Sequence, residues 1–203
     1  RVHKLIKKYY QNIFTDEEIQ SLLDEYNSID EYDTPTMKKA NPGPATKIID
    51  ELMSGWERVG GNYYQHTKPY LPHTDHREEW KETVNVVVPL HTTDPNASLV
   101  IFDQKYHKDS VTWCLHADVM EFQVNTGVAG KPYDYDCEGL TDKPVDDNLY
   151  EYIKWAPKEQ WFGLTGEAYS FTPGSAMIFN NKYIHTTGVL SGIKTGISLR
   201  YKL

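Results

Sequence analysis

The clearest chemical feature of this sequence is a histidine and an aspartate separated by one residue, at His73 and Asp75. In an extended segment, residues i and i+2 project to the same face, so the imidazole and the carboxylate can reach one ion. These two ligand types suit Fe(II), Mn(II) or Zn(II), and a third ligand is needed to complete one face of the ion. Since the chain has 8 histidines, a chance His-x-Asp is common and the pair gains weight only from its context.

That context includes another histidine near the C-terminal end of the chain. Pro173-Gly174 forms a predicted turn before the apolar run 176–179, and His185 follows this predicted strand. A second turn then leads into a final predicted strand that carries two basic residues, Lys194 and Arg200. The C-terminal part of the chain therefore carries a further possible metal ligand and two residues that could bind an anion.

The elements that must position these residues change from helix to strand along the chain. A capping box at Thr15 to Glu18 starts one amphipathic helix, and apolar spacing over 48–53 predicts a second. The β pattern begins at about residue 60, with predicted strands at 83–90, 98–102, 168–171, 176–179 and the C-terminal end. Helices followed by many short strands predict an antiparallel barrel or sandwich with the helices outside it. We expect one domain over 1–203, with a helical part at about 1–57 and a β core at about 60–203.

The stretch from about 104 to 162 fits this β plan poorly. It is rich in Tyr, Trp and Asp, shows no sustained period, and is strongly acidic between residues 134 and 151. Long irregular insertions in compact domains often serve as lids or recognition loops, but a solvated surface excursion explains the composition equally well. The acidic charge gives a slight preference for a substrate with a cationic amine.

Composition excludes some functions and leaves others open. A net charge of −8 argues against nucleic-acid binding, which depends on clustered Lys and Arg. No apolar run is long enough for a membrane helix and no secretory leader opens the chain, so a cytoplasmic location is expected. Cys114 and Cys137 have no metal-finger spacing and are interpreted as free thiols, with a single disulfide as the open alternative.

Taken together, these residues resemble the fingerprint of the Fe(II)- and 2-oxoglutarate-dependent oxygenase superfamily over roughly residues 60–203. The fingerprint is His-x-Asp, a distant His and a basic residue about ten positions later, and His73, Asp75, His185 and Lys194 follow it in order. The approach to His73 looks like that of prolyl-hydroxylase-type members. The last strand looks like that of phytanoyl-type members, in which Arg usually stands at the place of Lys194.

The resemblance implies a mainly β fold, a double-stranded β-helix or jelly-roll barrel with flanking N-terminal helices. It also implies that His73, Asp75 and His185 hold Fe(II), that 2-oxoglutarate and O₂ complete the centre, and that no further catalytic residue is required. The expected reaction is oxidation of a C–H bond in a small molecule or peptide, with release of succinate and CO₂. An aspartate at position 75 argues against halogenation, because related halogenases have a small residue there.

The 2-oxoglutarate anchor is left between two basic residues. Lys194 has the expected position, but Arg200 lies on the same face of the strand and offers a better bidentate match to a carboxylate. Tyr64 and Asn85 are candidate additional donors, although Tyr64 could equally be a core aromatic. Tyr70 and Trp80 are candidate substrate contacts. His66, His91, His107 and His116 are interpreted as ordinary residues, and His76 as a residue that lies behind the metal ligands or on the surface.

Two alternatives remain at this point. A cupin-like metal enzyme or metal-binding module would not use 2-oxoglutarate, but cupin sites usually carry His-x-His and a Glu instead of His-x-Asp. A barrel retained only as an interaction scaffold would have no need for three metal ligands.

Overall fold

The structure is a computed structural model. It describes residues 6–68, 72–75, 83–106, 112–114, 126–129, 137–139, 147, 149, 163–187 and 190–203. Within these ranges the chain forms helices α1 (Asp16–Ser28) and α2 (Lys47–Leu52). The strands are β1 (Lys7–Tyr10), β2 (Met37–Lys39), β3 (Glu57–His66), β4 (Val84–Thr92), β5 (Ser98–Tyr106), β6 (Thr112–Cys114), β7 (Thr126–Ala129), β8 (Cys137–Glu138), β9 (Gly166–Ser170), β10 (Ala176–Asn180), β11 (Tyr183–Thr187) and β12 (Lys194–Lys202).

The first helix begins at the predicted capping box. The Thr15 hydroxyl accepts a hydrogen bond from the Glu18 amide, and the Glu18 carboxylate accepts one from the Thr15 amide at 2.8 Å. Two exposed amides at the helix start are thereby satisfied. The apolar stripe of α1 is buried, with Leu22 at its centre.

Two antiparallel sheets form the body of the protein. The larger sheet has the order β1-β10-β4-β12-β3-β2, and the smaller has the order β11-β5-β8 with β9 also paired to β5. From β3 onward the chain alternates between the two sheets. Strands β3, β4, β10 and β12 lie in the large sheet. The segments between them pair in the small sheet, and these are the His73 bridge to β11, the strands β5 and β9, and β11 itself. This alternation is that of a double-stranded β-helix, as predicted.

Strand alternation divides the core into an outer and an inner layer. On the outer face of the large sheet, alternate residues of β4 and β12, such as Val86 and Leu199, pack with α1 and α2. On the inner face, Val87 and Phe179 of the large sheet pack with Leu99 and Ile101 of the small sheet. The strands β4 and β12 are therefore buried on both faces, and their remaining side chains project into the barrel.

A turn at one end of the barrel is fixed by Asp94. Its carboxylate accepts hydrogen bonds from the Asn96 amide at 2.9 Å and from the Ser191 amide at 3.0 Å. These bonds join the β4–β5 turn to the segment that leads into β12. Hydrogen bonding from the Ser191 amide, with a further contribution from Asn96, lowers the pKa of the Asp94 carboxyl against the opposing effect of burial.

The structure refines several predicted boundaries. The N-terminal part predicted as helical also contributes β1 and β2, which extend the large sheet at its two edges. Strand β5 continues to Tyr106, slightly beyond the predicted start of the insertion. Most of the acidic stretch between residues 134 and 151 lies outside the described residues. Within the described part of the chain, no helix has the length and apolar character needed to span a membrane.

Candidate metal centre

The two histidines of the predicted site are joined by their own backbones. The His73 amide donates to the His185 carbonyl at 2.9 Å, and the His185 amide donates to the His73 carbonyl at the same distance. This isolated antiparallel bridge sets the two side chains on one face, and their ring centroids lie 4.5 Å apart. Residues distant in sequence are therefore held as direct cross-strand neighbours.

Asp75 completes the cluster from the segment after His73. Its Oδ1 lies 3.6 Å from Nε2 of His73, and its Oδ2 lies 3.2 Å from Nε2 of His185. The potential ligand atoms of the three residues all lie within 4.8 Å of one another. Two imidazoles and one carboxylate on one side of an ion are the donor set of non-haem Fe(II) sites with open positions on the other side. The predicted triad is therefore assembled.

The hydrogen bonds of His185 determine which nitrogen faces the cluster. Its Nδ1 lies 3.0 Å from the carbonyl of Tyr183, so Nδ1–H donates there and Nε2 keeps its lone pair toward Asp75. Burial, followed by the proximity of His73, lowers the pKa of His185 despite the opposing effect of Asp75. The imidazole is therefore neutral near pH 7, which is the form that binds a metal ion.

The protonation state of Asp75 also suits a cation. Burial alone would raise its pKa, but contact with His185, followed by His73 and the positive charge of Arg200, holds the pKa well below its usual value. The carboxylate also has two neighbours on the barrel wall. Nη2 of Arg200 and Nδ2 of Asn85 each lie 3.4 Å from Asp75 Oδ2. Arg200 thus lies at the metal-ligand cluster.

Lys194 lies in a different part of the barrel. It is fully buried, and its Nζ donates to the Ser98 carbonyl and to the Thr187 hydroxyl, each at 3.0 Å. The ring of Phe171 lies 4.4 Å from the same nitrogen. Burial lowers the pKa of Lys194 to about 7. Among the described residues no carboxylate forms an ion pair with this amine.

Two residues of β3 line the space beside Lys194. His66 lies directly opposite Lys194 in the strand register, and the ring of Tyr64 stacks on His66 with centroids 4.6 Å apart. The Tyr64 ring lies above Gly196, where an added Cβ would meet its hydroxyl oxygen at 2.6 Å. Burial, followed by Lys194 and His73, holds the pKa of His66 well below its usual value, so the imidazole is neutral.

His66, interpreted from the sequence as an ordinary residue, lies opposite Lys194 in the structure. The signal that could have identified it is its two-residue spacing from Tyr64, which puts both side chains on the inner face of β3. Tyr70 and Trp80, the predicted substrate contacts, lie outside the described residues.

Solved structures show what this arrangement is similar to. The epimerase SnoN from nogalamycin biosynthesis, described as a non-haem α-ketoglutarate-dependent enzyme, aligns with 100% of this chain and 80% of its own at 11% identity and a TM-score of 0.53. HygX from Streptomyces hygroscopicus, with nickel, 2-oxoglutarate and hygromycin B bound, aligns over 98% of this chain and 83% of its own at 11% identity and a TM-score of 0.53. A Pseudomonas putida prolyl-4-hydroxylase gives 98% and 92% coverage, 10% identity and a TM-score of 0.51.

The chain has the fold of 2-oxoglutarate-dependent oxygenases. Neither a protein-family model nor a curated protein sequence matches it. In this oxygenase fold, the predicted site residues form two groups. The first surrounds the metal-ligand cluster and contains His73, Asp75, His185, Asn85 and Arg200. The second lies around the buried amine and contains Lys194 and Tyr64, with His66 added by the structure.

Proposed function

We propose that this protein is an Fe(II)- and 2-oxoglutarate-dependent oxygenase that acts on a small-molecule or peptide substrate. The observation that carries the proposal is the convergence of His73, Asp75 and His185, whose ligand atoms lie within 4.8 Å of one another at the inner side of a double-stranded β-helix. The donor set fits Fe(II), because one carboxylate and two neutral imidazoles bind one face of the ion.

In this proposal the chain provides the site and the bound groups provide the oxidation. Fe(II), 2-oxoglutarate and O₂ together supply the chemistry that oxidises a substrate C–H bond and releases succinate and CO₂. His185 contributes a neutral nitrogen whose direction is set by the Tyr183 carbonyl. Asp75 would contribute one negative charge to the ion, and the backbone bridge between His73 and His185 holds both rings on the same face of the site.

Lys194 is the proposed anchor for the distal carboxylate of 2-oxoglutarate. A buried amine with neutral hydrogen-bond partners and a pKa near 7 takes up a proton when a carboxylate binds beside it. Arg200 is less suited to this role, because its guanidinium lies against Asp75. Tyr64 and His66 form the neighbouring wall of the proposed co-substrate site, whereas Asn85 contacts Asp75.

The buried amine also distinguishes the leading proposal from a cupin-like enzyme without 2-oxoglutarate. A buried Lys is costly to the fold unless an anion compensates it, and among the described residues no carboxylate pairs with Lys194. An anionic co-substrate explains this cost, whereas a metal site alone does not.

Hydroxylation is the proposed outcome. The solved structures similar to this one include an epimerase as well as a prolyl-4-hydroxylase, so this fold supports more than one kind of oxidation. A cationic substrate and a cytoplasmic location remain predictions from the sequence.

The test is succinate release over a panel of amino acids, peptides and small metabolites, with Fe(II) and 2-oxoglutarate supplied. We expect turnover with at least one substrate, and His73→Ala should abolish it. A matched control is His91→Ala, since His91 is exposed on β4 and takes no part in the cluster. Thermal shift with Mn(II) is the second measurement. Stabilisation by Mn(II) without further stabilisation by 2-oxoglutarate would favour the cupin-like alternative, and turnover by His73→Ala would refute the metal assignment.

A further inference from the structure

Asp75 Oδ2 is contacted by two side chains that are not members of the metal-ligand triad. Nη2 of Arg200 and Nδ2 of Asn85 each lie 3.4 Å from this one oxygen. Arg200 and Asn85 are direct partners in the antiparallel register of β12 and β4. The inner wall of the large sheet therefore presents two adjacent donors to a single carboxylate oxygen.

The burial of this pair points to a specific task. Asn85 is fully buried and Arg200 is 7% exposed. The next inner position on β4 is the apolar Val87, which packs in the inner core. An amide and a guanidinium in such a wall are costly unless a polar partner compensates them, and the partner that both share is Asp75, through a hydrogen bond from Asn85 and an ion pair with Arg200.

We propose that Arg200 and Asn85 form a carboxylate clamp, which fixes the orientation of Asp75 before a metal ion binds. The clamp is defined by these two residues and rests on the proposed function, because it presumes that Asp75 is a metal ligand. With Oδ2 contacted by two protein donors, the plane of the Asp75 carboxylate would already be set when an ion binds.

The two residues act on metal affinity in different ways. Asn85 is neutral, so its amide contributes only orientation and its loss weakens binding. Arg200 also contributes orientation, but its positive charge lies near the ion and opposes binding. Asn85 is therefore the cleaner probe, and Arg200 requires two variants that separate the donor from the charge.

The experiment measures Mn(II) affinity of the purified protein without 2-oxoglutarate, by the electron paramagnetic resonance signal of free Mn(II). Removal of groups that orient a metal ligand typically costs about 10- to 100-fold in affinity, and we expect a loss in this range for Asn85→Ala. Val87→Ala is the matched control, because it truncates the next inner residue of β4, and its affinity should stay within a few-fold of wild type. Circular dichroism checks folding, and Asn85→Ser, whose hydroxyl is too short to reach Asp75, serves if the alanine variant is unfolded.

The Arg200 variants and a spectroscopic readout complete the test. Arg200→Lys retains the charge without the planar fork and should weaken Mn(II) binding, whereas Arg200→Gln retains an amide donor without the charge and should bind at least as well as Arg200→Lys. The absorption spectrum of bound Co(II), which reports coordination number, should change in Asn85→Ala and Arg200→Lys but not in Val87→Ala.

Three outcomes are distinguishable. Wild-type affinity and an unchanged Co(II) spectrum in Asn85→Ala and Arg200→Lys would overturn the clamp while leaving the oxygenase proposal intact. An equal loss in Val87→Ala would also overturn it, because the effect would then reflect general disturbance of the barrel wall. Failure of the wild-type protein to bind Mn(II) or Co(II) would instead refute the proposed function.

Discussion

Replacement of Lys194 by methionine separates what this residue contributes to the fold from what it contributes to binding. Methionine has a similar length and no charge, so it removes the amine from a site where Lys194 is fully buried. We expect Lys194→Met to keep or raise the stability of the ligand-free protein at pH 7. The same change should lower the affinity for 2-oxoglutarate strongly.

The stability effect follows from the pKa of the buried amine. Burial lowers the pKa of Lys194 from 10.5 to about 7, so between these values the unfolded chain binds more protons than the folded one. The free energy of unfolding of the wild type therefore rises with pH between these two pKa values, and the full cost of burying the amine applies below pH 7. At about 1.4 kcal/mol per pKa unit, the penalty is about 4 kcal/mol at pH 7 and about 2 kcal/mol at pH 9.

Two effects oppose the gain in the variant. The hydrogen bonds from Nζ to the Ser98 carbonyl and the Thr187 hydroxyl are lost, at about 1 kcal/mol each. The net change at pH 7 is therefore a gain of about 2 kcal/mol, and it should fall toward zero at pH 9. For binding, removal of one partner of a buried ion pair costs about 3 to 5 kcal/mol, which is a loss of at least about 100-fold in affinity.

The assay is urea denaturation of wild type and variant at pH 7, 8 and 9, together with calorimetric titration of 2-oxoglutarate in the presence of Mn(II). Lys202→Met is the matched control, because Lys202 is on the same strand with a side chain that is 45% exposed. An unchanged affinity for 2-oxoglutarate in Lys194→Met would refute the anchor. An equal pH dependence in wild type and variant would refute the reasoning about the buried amine.

Three further predictions concern stability. Asp94→Ala should lower the free energy of unfolding by about 1 to 2 kcal/mol at pH 7, because the hydrogen bonds from backbone amides to its carboxylate are lost. These bonds lower the pKa of Asp94 in the folded state, so their contribution is present above the unfolded-state pKa and is lost as the pH falls through the folded-state pKa. Equal stability of variant and wild type in urea denaturation at pH 7 would contradict this. Gly196→Ala should lower the free energy of unfolding by about 1 to 3 kcal/mol, because the added Cβ meets the Tyr64 ring. Calorimetry measures this loss, and a loss that remains when Tyr64→Leu is combined with Gly196→Ala would count against this contact. Tyr201→Phe removes a 2.7 Å hydrogen bond to Asp50 and should cost about 1 kcal/mol in thermal unfolding without changing Mn(II) affinity.

Local patterns in the sequence are sufficient for those features that depend on near neighbours. The capping box at Thr15 predicts the start of α1, because the donors and acceptors lie within one turn. The two-residue spacing of His73 and Asp75 predicts convergence on one ion, and the structure places their side chains 3.6 Å apart. The alternation of β12 likewise puts Lys194 and Arg200 on the same inner face.

Other features depend on pairings between distant segments. The segment 7–10 was predicted as part of a helical region, and it forms a strand because the edge of β10 is available to pair with it. The sequence likewise did not determine which part of the barrel Lys194 and Arg200 of β12 reach. Six residues of extended chain separate Lys194 and Arg200 by about 20 Å along the strand, so they meet different partners.

The sequence by itself determined the candidate ligand types, the order of the fingerprint and the β character of the core. Only the tertiary structure decided that His185 pairs with His73, that Arg200 lies against Asp75, and that His66 faces Lys194. The physical reason is that alternation along a strand fixes the face to which a side chain points. Its neighbours on that face are set by strand register, which depends on hydrogen bonds between segments that are far apart in the chain.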